Sequence, residues 1–299
     1  MKVRIGFGLG TAAAMAGDPA TFGPLLDDLE RLGFDSLWLS ERLSGPAPDP
    51  LAALAFAAGR TRKLKLGTSV LVVPGRNPAL LASQLATIDR LSGGRLLPAV
   101  GLGAVDPVEQ QGFGVTRGER AAWFDEVLPL LRRFWSGKAI DHTGHRFTYE
   151  GVRVLPTPVQ DPLEVWLGGI APSELRRVGR LGDGWLPSFC TPADVAEGRR
   201  VVVAAAAEVG RAIDAEHWGA LVAYAGGEVP ERLAQVVARR RPGVDVTELV
   251  PADVGALRTT LERFVDVGFS KFVVVPVGEP DDWSAELEAL AEAVLPLQL

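Results

Sequence analysis

Eight short apolar runs, each followed by a stretch of helical periodicity, predict an α/β fold: a (β/α)8 TIM barrel with a hairpin inserted before strand 5 and a helical insertion between strands 7 and 8. Two further observations favour it over a doubly wound open sheet. The runs are apolar almost throughout instead of alternating, as suits parallel strands covered on both faces. No Gly-x-Gly-x-x-Gly follows the first run, where a dinucleotide-binding open sheet carries it.

Strands are expected at 3–9, 36–39, 64–72, 95–100, 163–167, 184–186, 218–223 and 271–275. The stretches between them carry one apolar stripe each: Leu51, Leu54, Ala55 and Ala58 in one, Trp123, Val127, Leu130, Leu131 and Phe134 in another. Asp49-Pro50 and Asn77-Pro78 mark helix starts, a polar cap followed by proline at the first helical position. Two connections are long. Residues 137–162 resemble a β-hairpin, and 225–268 hold two helical stretches around the loop from Arg241 to Thr247. Long insertions in a barrel are usually lids or oligomer contacts. No repeat finer than the strand–helix unit is present, so residues 1–299 read as one domain.

The bulk composition narrows the partners. A net charge of −6 without a basic block argues against nucleic-acid binding. The single cysteine, Cys190, excludes an internal disulfide and suits a reducing compartment. The first residues enter a strand pattern directly and no apolar run reaches membrane length, so a cytoplasmic protein is expected, neither secreted nor membrane-bound. Abundant alanine, leucine, glycine, arginine and proline beside few lysines suit a GC-rich bacterial genome.

A barrel keeps its chemistry at the C-terminal ends of its strands. Those ends carry Gly8, Gly10 and Thr11; Ser40, Glu41 and Arg42; Ser69 and Val70, then Pro74-Gly-Arg-Asn77; Gly101, Gly103 and Asp106; Gly168, Gly169 and Ser173; Ser188 and Cys190. Three histidines, His142, His145 and His217, are too few and too scattered for a metal centre. Gly-x-Ser-x-Gly is absent, and Cys190 has no local histidine. A glycine-rich rim with one acid, one arginine and several hydroxyls suits a site where a bound cofactor brings the reactivity. In Glu164-Val-Trp-Leu-Gly-Gly-Ile-Ala-Pro-Ser173 the glycines let a ligand approach the backbone, and Pro172 and Ser173 open a helix whose N-terminus favours an anion. The segment is either a phosphate cradle or a plain strand–turn–helix joint capped by serine. Glu41-Arg42 is either an exposed ion pair or a carboxylate and a guanidinium over a cofactor ring.

These phrases resemble the bacterial-luciferase-like flavin and deazaflavin oxidoreductases, a (β/α)8 superfamily. The likeness rests on Leu37-Trp-Leu-Ser-Glu-Arg42, on Leu66-Gly-Thr-Ser-Val-Leu71 with Asn77-Pro78, and on Leu91-Ser-Gly-Gly-Arg95 running into Val100-Gly-Leu-Gly103. It continues through Phe113-Gly114, Arg120, Asp125-Glu126, Pro156-Thr-Pro158 and the 164–173 segment. The resemblance implies that Gly168, Gly169, Ile170, Ala171, Pro172 and Ser173 cradle a cofactor phosphate, and that Arg120 reaches the same phosphate unless it is a surface helix arginine. It implies that Ser40, Gly101 and Gly103 border the cofactor, and that Ser69 and Val70 share a non-proline cis peptide behind its ring. Glu41 and Arg42 would be catalytic. They stand where many deazaflavin-dependent members carry Asp-His, and Ala104 stands where some carry a glutamate, so the acid–base residues of the sugar-phosphate and alcohol dehydrogenases are missing. The favoured cofactor is coenzyme F420, with hydride transfer to a small organic substrate. The alternatives are an FMN-dependent luciferase-like monooxygenase and a non-catalytic flavin-binding relative. A homodimer is expected through helices beside strands 2 to 4, with the stripe Leu81, Leu85 and Ile88 either there or packed on the barrel.

Overall fold

The computed structural model describes residues 2–10 and 14–298; Thr11 lies outside them. The strands in chain order are β1 (Arg4–Gly8), β2 (Ser36–Leu39), β3 (Lys65–Thr68), β4 (Leu71–Val72), β5 (Leu96–Leu97), β6 (Ala99–Gly101), β7 (Ile140–Thr143), β8 (Thr148–Val152), β9 (Trp166–Leu167), β10 (Gly184–Trp185), β11 (Gly219–Tyr224) and β12 (Lys271–Pro276). The helices are α1 (Pro19–Leu32), α2 (Pro50–Arg60), α3 (Pro78–Ser92), α4 (Pro107–Gly112), α5 (Arg120–Trp135), α6 (Pro172–Leu181), α7 (Pro192–Ala207), α8 (Glu231–Arg240), α9 (Val246–Leu249), α10 (Val254–Asp266) and α11 (Trp283–Val294).

The pairing is parallel in two runs, β11-β12-β1-β2-β3-β5 and β10-β9-β6-β4. They are pieces of one ring. The predicted third strand is split into β3 and β4, and the fourth into β5 and β6. At the third break the Ser69–Val70 peptide bond is cis. At the fourth stands Pro98, which has no N–H for a ladder. The Thr68 hydroxyl spans both gaps: it donates to Ala99 O at 2.7 Å and accepts from Ala99 N at 3.0 Å. On the far side, two isolated parallel bridges, Trp185 to Trp218 and Ser188 to Leu221, join the sixth strand position to the seventh. Every one of the eight strand positions thus has a parallel neighbour on each side.

Two indoles fill the barrel. Trp38 and Trp166 pack with Ala99, Leu186, Val273 and Val275 in the interior cluster. Neighbouring strands make room with glycine: a Cβ on Gly6 would lie 2.6 Å from Trp38 Nε1, and one on Gly67 would collide with the Trp38 ring. Outside, the helices bury their stripes as expected. Leu51, Leu54 and Ala58 of α2 and Val127, Leu130, Leu131 and Phe134 of α5 are buried. Leu81, Leu85 and Ile88 of α3 also face the barrel. Asp49 and Asn77 cap α2 and α3, accepting from Ala52 N and from Ala79 N and Leu80 N.

Both insertions are present. The antiparallel hairpin β7–β8 is tied to α5 by the Glu126 carboxylate, which accepts from Phe147 N and Arg146 N. The segment after the hairpin is tied to α3 by Asp89, fully buried, which accepts from Val159 N at 2.6 Å and Gln160 N at 3.0 Å. In the second insertion α8 and α9 enclose a small apolar cluster of Ala225, Val237, Leu249 and Val250, while α10 returns to the barrel wall. No helix of the described residues is long and apolar enough to cross a membrane.

Candidate active site

A cavity of about 330 Å³ opens at the C-terminal ends of the strands, where sequence placed the chemistry. It gathers Ser40, Glu41, Ser69, Val70, Gly101, Gly103, Gly168 and Gly169 from the predicted set. Val70 forms its floor. The Val70 side chain fills the space a Gly101 side chain would take, with Cγ2 2.6 Å from that Cβ position, and its Cγ1 lies 3.5 Å from a Cβ on Gly168. The Ser40 hydroxyl donates to Ser69 O at 2.8 Å and so joins the second strand's end to the third.

Glu41 is nearly inaccessible and held on both oxygens. Oε2 accepts from Val72 N at 2.7 Å, and Oε1 pairs with the Arg76 guanidinium. Burial pushes its carboxyl above the ordinary glutamate range, against the pull of Arg76 and the Val72 amide. Arg42, expected beside Glu41 over the ring, turns away from the cavity. Two carboxylates attract it: Nη2 lies 3.5 Å from Asp106 Oδ2 and Nε 3.8 Å from Glu109 Oε1. Glu109, itself buried, also accepts from Leu43 N and Ser44 N, so this cluster clasps the strand-2 loop to α4.

The 168–173 segment differs from its expected form. Gly169 adopts φ +96°, which makes the turn. The N-cap of α6 is Ala171, which has no side-chain acceptor, and Ser173 is exposed inside the first turn without capping it. Glu174 takes over: its Oε2 accepts from Ile170 N and Ala171 N, each at 3.0 Å. Ile170, Ala171, Pro172 and Ser173 therefore lie at the edge of the cavity, outside its lining, while Glu174 lines it. Arg120 is buried, not a surface arginine. Its Nη1 donates to Gly103 O at 2.8 Å and Ala104 O at 3.0 Å, which fixes the cavity wall, and its Nε is buried with no partner among the described residues.

Four charged residues that the sequence reading gave no role belong to this region: Arg76, Glu174, Arg177 and Arg240. Arg177, on α6 one turn past Glu174, lines the cavity and donates from Nε to Asp125 Oδ1 at 2.6 Å. Arg240, from the last turn of α8, lines the cavity mouth and stacks over Phe189 at 5.6 Å. Glu174 had a local signal, an acid three residues past the N-cap; Arg177 and Arg240 sit in charge-rich helices that read as solvated faces. Cys190 is buried, and burial pushes its thiol up to about 12, so it is inert at neutral pH. His142 Nε2 lies 3.1 Å from Glu126 Oε1, so that histidine serves the hairpin. The aromatic side chains Trp38 and Trp185 are core, not cavity lining.

The model of the luciferase-like monooxygenase family matches residues 4–294. The chain belongs to that family. Among its relatives, the 5,10-methylenetetrahydromethanopterin reductase of Archaeoglobus fulgidus is 28% identical over 89% of this chain and 77% of that protein. An F420-dependent glucose-6-phosphate dehydrogenase of Kineococcus radiotolerans is 31% identical over 52% of this chain, and the match spans 49% of that relative's length. Among solved structures, the oxygenating constituent of 3,6-diketocamphane monooxygenase from Pseudomonas putida, in complex with FMN, superposes with a TM-score of 0.76 at 18% identity, over 100% of this chain and 99% of that one. The sequence relatives thus include an F420-dependent enzyme, and a structure of the same fold holds FMN.

Proposed function

We propose that the chain is an oxidoreductase passing a hydride between coenzyme F420 and a small organic substrate. The observation that carries this reading is the make-up of the cavity, an apolar floor at one end and a guanidinium beside a helix start at the other. A flat ring system fits the first end: Val70 lies between Gly101 and Gly168, and a side chain on Gly101 would push it out of position. The second end offers a phosphate the Arg177 guanidinium, shared with Asp125, while Glu174 occupies the Ile170 and Ala171 amides of the α6 start. When bound, the deazaflavin supplies the hydride donor or acceptor.

The chain's own residues bind, orient and shield. Val70, Gly101 and Gly168 would hold the ring, and Ser40 and Ser69 would stand beside it. Glu41, fixed by Arg76 and the Val72 amide, is assigned as the catalytic carboxyl, at the strand-2 end of the cavity. Arg42 is kept as a clasp on α4 and carries no catalytic role in this reading. Arg120 holds the Gly103 and Ala104 carbonyls in place, and α8 with Arg240 narrows the mouth against water. The 31% identity to an F420-dependent relative supports the deazaflavin choice.

Fluorescence titration with F420 and FMN tests the reading. Micromolar binding of F420 is expected. Binding of FMN with none of F420 would replace the reading with a luciferase-like monooxygenase. We also infer a homodimer through the α2–α3 side, because Phe56 (42% accessible) and Leu80 (66%) stay exposed there although their helices bury full apolar stripes. Light scattering at micromolar concentration should give twice the chain mass; a monomer would remove this inference.

A further inference from the structure

The cradle at the start of α6 already holds an anion, and that anion belongs to the chain. Glu174 Oε2 takes the Ile170 and Ala171 amides, each at 3.0 Å. Gly169 is what lets it lie so close to the turn, since a Cβ there would stand 2.5 Å from the same oxygen. The cations nearby are partly committed. Arg177 is paired with Asp125, and Arg120 Nη1 is bonded to backbone carbonyls. A phosphate entering this end of the cavity therefore meets a full negative charge beside the donors it would use.

We propose that Glu174 is a charge filter on the cofactor phosphate, admitting a singly charged phosphodiester and disfavouring a doubly charged phosphomonoester. This rests on the reading of the cavity as a flavin-type cofactor site and deepens it to specificity. A phosphomonoester loses its second proton near pH 6 and is close to a dianion at neutral pH; a diester keeps one charge. Repulsion by a fixed carboxylate grows with the ligand's charge, and a partly buried site screens it less than water does. F420 carries its phosphate as a diester, FMN as a monoester, and riboflavin has none. Glu174 thus acts on the charge of the phosphate itself, because the further carboxylates of F420 lie along its tail beyond the phosphodiester.

The test is fluorescence titration of riboflavin, FMN and F420 into the wild-type chain and Glu174→Gln, which keeps an acceptor for the α6 amides. In the wild type, riboflavin should bind at least as tightly as FMN; a wild type that prefers FMN to riboflavin overturns the filter without any variant. In the variant, the ratio of the FMN Kd to the riboflavin Kd should fall about tenfold while F420 gains about threefold. A ratio that does not move, or an equal gain for F420, overturns it as well. If the ratio falls but F420 binds neither protein, the deazaflavin reading fails and the filter stands. If F420 binds and the ratio is flat, the filter fails and the deazaflavin reading stands. A chain that takes up none of the three overturns both.

Discussion

Glu41 and Arg76 illustrate how single side chains set the properties of this site. The carboxylate is 3% accessible and the guanidinium 20%, so the pair is mostly out of water. Burial raises the Glu41 pKa, and the arginine and the Val72 amide oppose that rise. Removing the arginine leaves the carboxylate buried with one amide for company. Arg76→Gln should therefore destabilise the fold at neutral pH by about 2 kcal/mol, below the full cost of breaking a wholly buried pair because Arg76 is partly wet. The pH dependence has a definite sign. A carboxyl whose folded pKa lies above its unfolded value contributes fully below the unfolded pKa, and its contribution is lost as pH rises through the folded value. The deficit of Arg76→Gln should be smallest in acid and widen as pH rises through the Glu41 pKa, which the variant raises further. Urea unfolding of both proteins from pH 4.5 to 8 measures this; a pH-independent gap would mean that Glu41 is not the group left unpaired.

At the scale of elements, what the sequence made legible was what local chemistry decides. Asp49-Pro50 and Asn77-Pro78 start helices because a polar cap and a fixed φ act within one turn, and both caps are present. The strand positions were legible because runs buried on both faces are apolar throughout. The cis bond at Ser69–Val70 was expected through the family resemblance alone, and the interruption at Pro98 was not, since an apolar run looks the same whether its ladder is continuous or broken. Long-range carboxylate clasps were not legible at all. Glu126 on the hairpin amides, Asp89 on the 159–160 backbone and Glu109 on the strand-2 loop each bind N–H groups distant in sequence, and nothing in a helix's charge pattern says which acid does so. The candidate site shows the same division. Several of the glycines and hydroxyls singled out at strand ends line the cavity, whereas Arg42 points away from it because its partners, Asp106 and Glu109, stand at α4. Arg177 is held by Asp125, so one residue of the Asp125-Glu126 phrase serves the cavity and the other the hairpin.

The whole molecule depends on how the ring of strands is filled, because the cavity stands on top of that filling. Small barrels pack layers of aliphatic side chains; this one uses two indoles and removes side chains from the strands beside them. Trp38 is completely buried, its Nε1 donates to Ser36 Oγ at 2.8 Å, and Gly6 and Gly67 flank it from β1 and β3. Gly67 also lies two residues before Ser69, so displacing Trp38 would disturb the strand that carries the cavity floor. A methyl at Gly67 meets a rigid ring that cannot rotate away, and overpacking of this kind costs ~1–3 kcal/mol. Gly67→Ala should lose stability by that amount in urea unfolding at 25 °C, with a change in tryptophan emission. Gly59→Ala is the control: Gly59 lies in α2 with nothing near its Cβ position, and alanine there should be neutral or stabilising by up to about 1 kcal/mol. The cause is then separated from the glycine's backbone freedom by a second substitution. Trp38→Phe shrinks the ring that the methyl would meet, so Gly67→Ala should cost less in the Trp38→Phe background than in the wild type, and the two effects should fail to add. Strict additivity would show that Gly67 is required for its backbone and not for the space it leaves.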